Sequence, residues 1–138
     1  METPVTDFAR GPFEVQLAPQ PADGHADALS LGRMTIDKQF RGDLVATSKG
    51  QMLTGMGGVK GSAGYVAIER VTGALAGKDG SFILQHTGVM TRGAPSLVIT
   101  VVPDSGTGAL TGISGSMQIE IEGKVHSYVL EYTLPAAS

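Results

Sequence analysis

From Met117 to Glu122 the chain reads MQIEIE, and Met117, Ile119 and Ile121 alternate strictly with Gln118, Glu120 and Glu122. A period of two puts one set of side chains on the buried face of a β-strand and the other set in water. The same period runs through most of the sequence. Apolar residues rarely recur at the three-and-four spacing of a helix, and Gly, Val, Thr and Ser interrupt the stretches where they do. The 20 glycines are dispersed rather than periodic, so they punctuate strands.

Turn signals divide the chain into eight predicted strands, near Gly11 to Ala18, Ala28 to Phe40, Asp43 to Gly55, Ala63 to Ala76, Ser81 to Thr91, Ser96 to Val102, Ala109 to Glu122 and Lys124 to Leu134. APQPADGHAD is a polar loop. Arg41-Gly42-Asp43 and Gly77-Lys78-Asp79-Gly80 have the chemistry of hairpin turns, with Gly supplying positive φ, and Gly123 can do the same. Pro103-Asp104-Ser105-Gly106 has a turn's Pro in the lead and Gly at the close. Short turns between consecutive strands make an antiparallel meander, and eight strands leave no open edge if they close on themselves. The expected fold is all-β, a closed eight-stranded antiparallel β-barrel, in one domain over residues 1–138, with residues 1–10 as a flexible N-terminal arm.

An internal echo bears on the inward face. TGALAG at Thr72–Gly77 returns as TGALTG at Thr107–Gly112, 35 positions later, and GKDGSFILQH lies over GISGSMQIEI. Shifted back by that interval, Met117, Ile119 and Ile121 become Phe82, Leu84 and His86. His86 is therefore predicted to point inward in the place of Ile121.

The same parity test finds other polar groups inside. Lys38 shares a face with Met34, Ile36 and Phe40. Glu69 shares one with Tyr65, Ala67 and Val71, although Val66 and Ile68 make the opposite face apolar as well. A buried Lys or Glu alone costs several kcal/mol, so each needs a partner or a wet cavity. Lys38 with Glu69 is the obvious pair, with His86 close by in a narrow barrel. A few convergent polar groups in an apolar wall describe a small-molecule site, and burial suits such groups to acid–base chemistry. Plainer roles stand beside these: a hydrogen-bonded core histidine, a Lys38 that reaches out of the barrel mouth, a structural ion pair at Glu69. Tyr65, Tyr128 and Tyr132 read as core residues whose hydroxyls reach an edge, and Met34, Met52, Met90 and Met117 as gap-fillers.

Composition excludes several classes. Charged residues are 17 % and hydrophobic ones 41 %, which is not the balance of a disordered chain. Net charge is −3, the ten Lys and Arg are scattered, and Trp is absent, so no nucleic-acid footprint is expected. There is no cysteine, which removes disulfides, thiol nucleophiles and Cys-ligated metals and suits a reducing compartment. METPVTDFARG carries no hydrophobic stretch of a signal peptide, and no apolar run reaches the roughly 18 residues of a membrane helix. A cytoplasmic protein without membrane partner, metal or cofactor is expected.

Three motifs fail on context. Asp104-Ser105-Gly106-Thr107-Gly108 looks like an aspartic protease signature, but it is a single copy behind a proline turn. Gly55-Met56-Gly57-Gly58-Val59-Lys60-Gly61 lacks the ending of a phosphate loop, and no helix follows it. His25, His86 and His126 have no metal spacing and make a zinc site only if the fold gathers them.

The segments MTIDKQFRGDLVATSKGQML, SAGYVAIERVTGALAGKDGSFILQHTGVMTRGAPSLVITVVPDSGTGALTGISGSMQIEI and HSYVLEYTL resemble a bacterial family of small uncharacterised proteins, a domain of unknown function with an allene-oxide-cyclase-like barrel. The resemblance covers roughly residues 10–134. It implies an eight-stranded antiparallel barrel and carries no catalytic residue across. Allene oxide cyclases hold a reactive apolar substrate in such a barrel, so the resemblance implies a kind of interior rather than an activity.

Three functions are expected on this basis. The first is binding of a small apolar molecule in the barrel, with Lys38, Glu69 and His86 as its polar end and Tyr65 and Arg92 at the rim. The second is an isomerase or cyclase in which Glu69 or His86 moves a proton. The third is a barrel filled by its own side chains that acts through a surface or a homo-oligomer, at which the outward Val66 and Ile68 hint.

Overall fold

The structure, a computed structural model, describes residues 6–20 and 31–135. The period-two pattern becomes nine strands: β1 (Asp7–Gln20), β2 (Leu31–Phe40), β3 (Leu44–Met56), β4 (Ala63–Leu75), β5 (Lys78–Thr91), β6 (Ala94–Val101), β7 (Thr107–Gly108), β8 (Ser114–Glu122) and β9 (Val125–Thr133). Among the described residues there is no helix. Neighbours run β4-β3-β2-β1-β9-β8-β6-β5, and β4 pairs with β5 to close the ring. The barrel is closed, eight-stranded and antiparallel, as the strand alternation predicts. β7 is an extra two-residue strand against β5.

Several boundaries differ from the sequence reading. Residues 7–10, expected in an arm, are strand: Asp7 to Phe13 pair with Tyr132 to His126 on β9, and Ala9 is buried. Residues 1–5 of the expected arm, and 28–30 of the expected second strand, lie outside the described residues. The strand expected from Ala109 begins only at Ser114, because Leu110 and Ile113 turn into the core instead, at 1 % and 2 % exposure. The turn expected over Gly77–Gly80 sits at Ala76-Gly77, with φ of 49° and 81°, and Leu75 pairs with Lys78 across it. Two positive φ values in a two-residue loop match the right-handed twist of the flanking strands. Arg92-Gly93 repeats the arrangement between β5 and β6, with φ of 48° and 90°.

The barrel has two unlike ends. At one end Phe13, Phe40, Leu44, Val71, Leu75, Phe82, Leu84, Tyr128 and Leu130 form one cluster, which Leu110 and Ile113 of the β6–β8 connection cap. Tyr128 stitches this end: its hydroxyl accepts from the Leu44 amide at 2.9 Å and donates to the Arg41 carbonyl at 2.6 Å. At the other end, the mouth, the inward-facing Met34, Met52, Thr54 and Tyr65 are only half-buried.

One seam in the wall is short. β6 and β8 share two register pairs, Ile99 with Met117 and Thr100 with Ser116, whereas every other pair of barrel neighbours shares at least seven. Above Ile99 the two strands separate, and Ala94 to Val98 are all exposed. Leu97 and Ile121, on the inward side by parity, are 39 % and 62 % exposed. His86 therefore does point inward, at 4 % exposure, but its counterpart in the echo does not: Ile121 lies where the wall has opened.

Candidate functional site

Parity alone brings Lys38, Ser48, Glu69 and His86 into the barrel, and register brings them together. Lys38 faces Ser48 across β2–β3, and Glu69 faces Gly50 across β3–β4. Gly50 has no side chain to separate its neighbours, so the Lys38 chain passes along β3 to reach Glu69. Oε2 of Glu69 accepts from Lys38 Nζ at 2.8 Å and from His86 Nε2 at 2.7 Å. Oε1 accepts from the Ser48 hydroxyl at 2.8 Å. Glu69 has no exposed surface.

Burial pushes the Glu69 carboxyl up, but the His86 hydrogen bond and the charges of Lys38 and His86 outweigh it and hold the group at about 2. Glu69 is thus a carboxylate at neutral pH. Lys38 does not reach out of the mouth: its side chain is 6 % exposed, and Nζ lies 5.3 Å and 5.8 Å from the Phe13 and Phe40 ring centroids.

This polar layer partitions the interior. The main apolar cluster lies on its capped side. Ile36 and Ala67 are equally buried, yet they stand apart from that cluster, on the mouth side with Met34 and Met52. Each polar atom sealed inside the described protein has a partner. His86 Nδ1 forms no hydrogen bond among the described residues, and the side chain as a whole is 5 % exposed.

Tyr65 is also at this level. It pairs with Gly88 across β4–β5, one inward position beyond Ala67 and His86. A β-carbon on Gly88 would run into the Tyr65 ring, so the ring lies flat over the glycine. Burial raises the Tyr65 phenol pKa, and its hydroxyl has no partner among the described residues.

Arg92 is not brought to the cluster. It lies in the exposed β5–β6 turn, six residues from His86, a strand distance of about 20 Å. Its amide donates to the Ser62 hydroxyl at 3.0 Å, which ties the turn to the β3–β4 loop. His126 lies against Phe13 with centroids 5.5 Å apart, away from His86, and His25 lies outside the described residues. No three His, Asp or Glu among the described residues are grouped to hold a metal. Asp104 sits at φ 62° in an exposed turn.

Sequence reading missed Ser48, although Ala46, Ser48 and Gly50 share a face in ATSKG and parity would have found it. It also missed a groove of about 670 Å³ on the outside of the barrel, along β1, β8 and β9 beside Phe8, Arg10, Gln118, Glu120 and Glu131. Its charged side chains are exposed, and none of them belongs to the buried cluster.

Residues 9–132 match the model of a family described as "Protein of unknown function (DUF3224)". The chain belongs to the DUF3224 family. A crystal structure of a DUF3224 protein with unknown function from Shewanella oneidensis MR-1 is similar at 48 % identity and a TM-score of 0.89, over 96 % of this chain and 100 % of that one. No curated protein matches the chain. The family resemblance read from the sequence is thereby shown, and DUF3224 membership agrees with the barrel.

Proposed function

We propose that this DUF3224 protein binds a small, largely apolar molecule at the mouth of the barrel, with the Lys38–Glu69–His86 layer as the polar floor. The observation that carries this reading is the asymmetry of His86. One ring nitrogen is fixed by a fully buried carboxylate, and the other forms no hydrogen bond among the described residues. A layer that served stability alone would be expected to satisfy both nitrogens. Met34, Met52, Tyr65 and Ala67 supply the apolar surround. Arg92 is left out of the floor. Native mass spectrometry of protein purified gently from its own source tests the reading. An added mass that disappears on denaturation supports it. A bare polypeptide whose stability does not respond to apolar compounds sinks it.

A catalytic reading rests on the same pair. A carboxylate that orients a histidine leaves the far nitrogen as a general base, as an isomerase or cyclase needs. Glu69→Gln separates the two readings: turnover of a bound compound would collapse, while its affinity would change little.

A third reading concerns a second copy of the chain. The outer face of β3 to β6 carries Leu53, Val66, Val98, Ile68 and Val89, all about half exposed or more, with Gln51, Gln85, Thr87 and Thr100 between them and Arg33, Lys49 and Arg70 at the border. An apolar patch with a charged border can meet its own copy with the charges left at the rim of the contact. Sedimentation of the protein and of Val66→Lys tests it; an unchanged monomer for both rules the contact out.

A further inference from the structure

Beyond Ile99 the barrel wall keeps two strand edges. Residues 118–122 of β8 pair with β9 on one side, and no other described strand meets them on the other. The turns decide which backbone groups are left over. Gly123-Lys124 is a two-residue loop flanked by the pair Glu122 and Val125, so Glu122 and Glu120 direct their N–H and C=O groups to β9. Ile121 and Ile119 direct theirs into the gap. On β6 the two-residue loop Arg92-Gly93 sets the same phase: Ala94, Ser96 and Val98 bond towards β5, and Pro95 and Leu97 face the gap. The Val102 amide, in step with Ala94, does donate to the Ile83 carbonyl at 2.9 Å. Ile99 and Met117, the pair that still joins the two strands, are in step with Leu97 and Ile119.

The two edges are unequal. Pro95 has no N–H, so β6 brings one donor to the gap, at Leu97. β8 brings two donors and two acceptors, on Ile119 and Ile121. A strand edge of this kind is a template for pairing with another chain.

The side chains on β8 select what can pair. Ile119 and Ile121 point inward, as Leu97 does across the gap, so apolar residues fit opposite them. Glu120 points outward between them and is exposed. Its hydrogen bonds go to β9, so on the gap side it holds a non-hydrogen-bonded position, where facing Cα atoms are about 4.5 Å apart and side chains come nearest. None of the ion pairs among the described residues uses Glu120 or Glu122. The outward residues of the β6 edge, Ser96 and Val98, bring no charge, and Arg92 and Lys124 lie in the turns beyond it. A base opposite Glu120 is therefore favoured. A second copy paired β8 to β8 about Glu120 would set two glutamates at the nearest position, which disfavours that occupant.

We propose that the edge of β8 from Gln118 to Glu122 receives an extended segment of a partner protein as an added strand. The segment alternates apolar and basic residues, with apolar side chains opposite Ile119 and Ile121 and a lysine or arginine opposite Glu120. This inference does not depend on a ligand at the mouth.

The test titrates the blocked peptide acetyl-Thr-Val-Lys-Val-Thr-amide into ¹⁵N-labelled protein, followed by NMR. One control carries Glu in place of Lys, and another carries N-methylated valines, which cannot donate to the edge. The expected result is that the lysine peptide shifts the Ile119 and Ile121 amides most, and that each control binds at least about fivefold more weakly. Glu120→Lys changes an exposed side chain and should reverse the order, so that the glutamate peptide binds better. Equal affinity of the lysine and glutamate peptides overturns the charge selection. Equal affinity of the N-methylated peptide, or shifts confined to the outer face around Val66 and Ile68, overturns strand addition. Ile119 and Ile121 shifts that grow with protein concentration alone give the edge to a second copy and overturn the partner. No shift from the lysine peptide at millimolar concentration overturns the proposal as a whole, and leaves the reading of the mouth untouched.

Discussion

Gly50 and Glu69 face each other across β3 and β4 with no room for a β-carbon between them: one built on Gly50 would run into the Ile68 carbonyl oxygen and lie 2.7 Å from both Cα and Cβ of Glu69. The obstacle is largely backbone, which cannot swing aside as a long side chain can. Gly50→Ala should therefore destabilise the protein by about 1–3 kcal/mol, the usual range for overfilling a tight site. It should also loosen the Glu69 contacts. Urea denaturation gives the first effect, and the His86 ring signals in NMR give the second.

Removing one charge of the layer strands the other. Glu69→Leu leaves Lys38 buried without a counter-ion and should cost about 3–5 kcal/mol. The double substitution Lys38→Met with Glu69→Leu removes both charges and should recover most of that loss. The coupling energy from a double-mutant cycle checks it; additive losses would show that the two groups do not act as a pair.

Acid should weaken the fold through Glu69. Its folded pKa of about 2 lies below the ordinary carboxyl value of 4.5, so the unfolded chain binds the proton more readily. The contribution is complete above about pH 4.5 and is lost as pH falls towards 2. Its size is on the order of 3 kcal/mol. Denaturation midpoints measured across that window should fall less steeply in Glu69→Gln, which starts from lower stability, than in the natural sequence.

Tyr128→Phe keeps the ring but removes both turn contacts. The Leu44 amide, buried with its residue, would lose its partner, and the Arg41 carbonyl would lose a donor. A cost of about 1–3 kcal/mol is expected, read as a lower thermal midpoint. The Phe40 edge-to-face contact, at 5.4 Å between centroids, remains in the variant.

What the sequence disclosed follows from how local each feature is. Lys38 was readable because every neighbour on its face is apolar. Glu69 was less so, since Val66 and Ile68 make the outer face of β4 as apolar as the inner one; the closure of β4 onto β5 decides it. His86 was placed inward through its echo with Ile121, and that comparison holds only as far as the wall does. The partner of Lys38 depends on register across three strands, which parity cannot give. The seam depends on where β6 and β8 part beyond Ile99, which no local pattern marks, and the late start of β8 depends on Leu110 and Ile113 turning inward, a contact set by tertiary burial rather than by turn chemistry. Arg92 sits where the 14-residue β5 ends, in a turn beyond the cluster, a separation that depends on the length of that strand.

The two-rung join between β6 and β8 also sets an order of opening. Hydrogen exchange follows the least costly local unfolding, and few rungs must break for the wall to part there. Amides of Leu97, Val98, Ile119 and Glu120 should exchange with deuterium long before those of β3, β4 and β5, whose ladders run unbroken over thirteen rungs each. Opening there would free two strands separated by a dozen residues of chain at the same moment, so their exchange rates should rise and fall together.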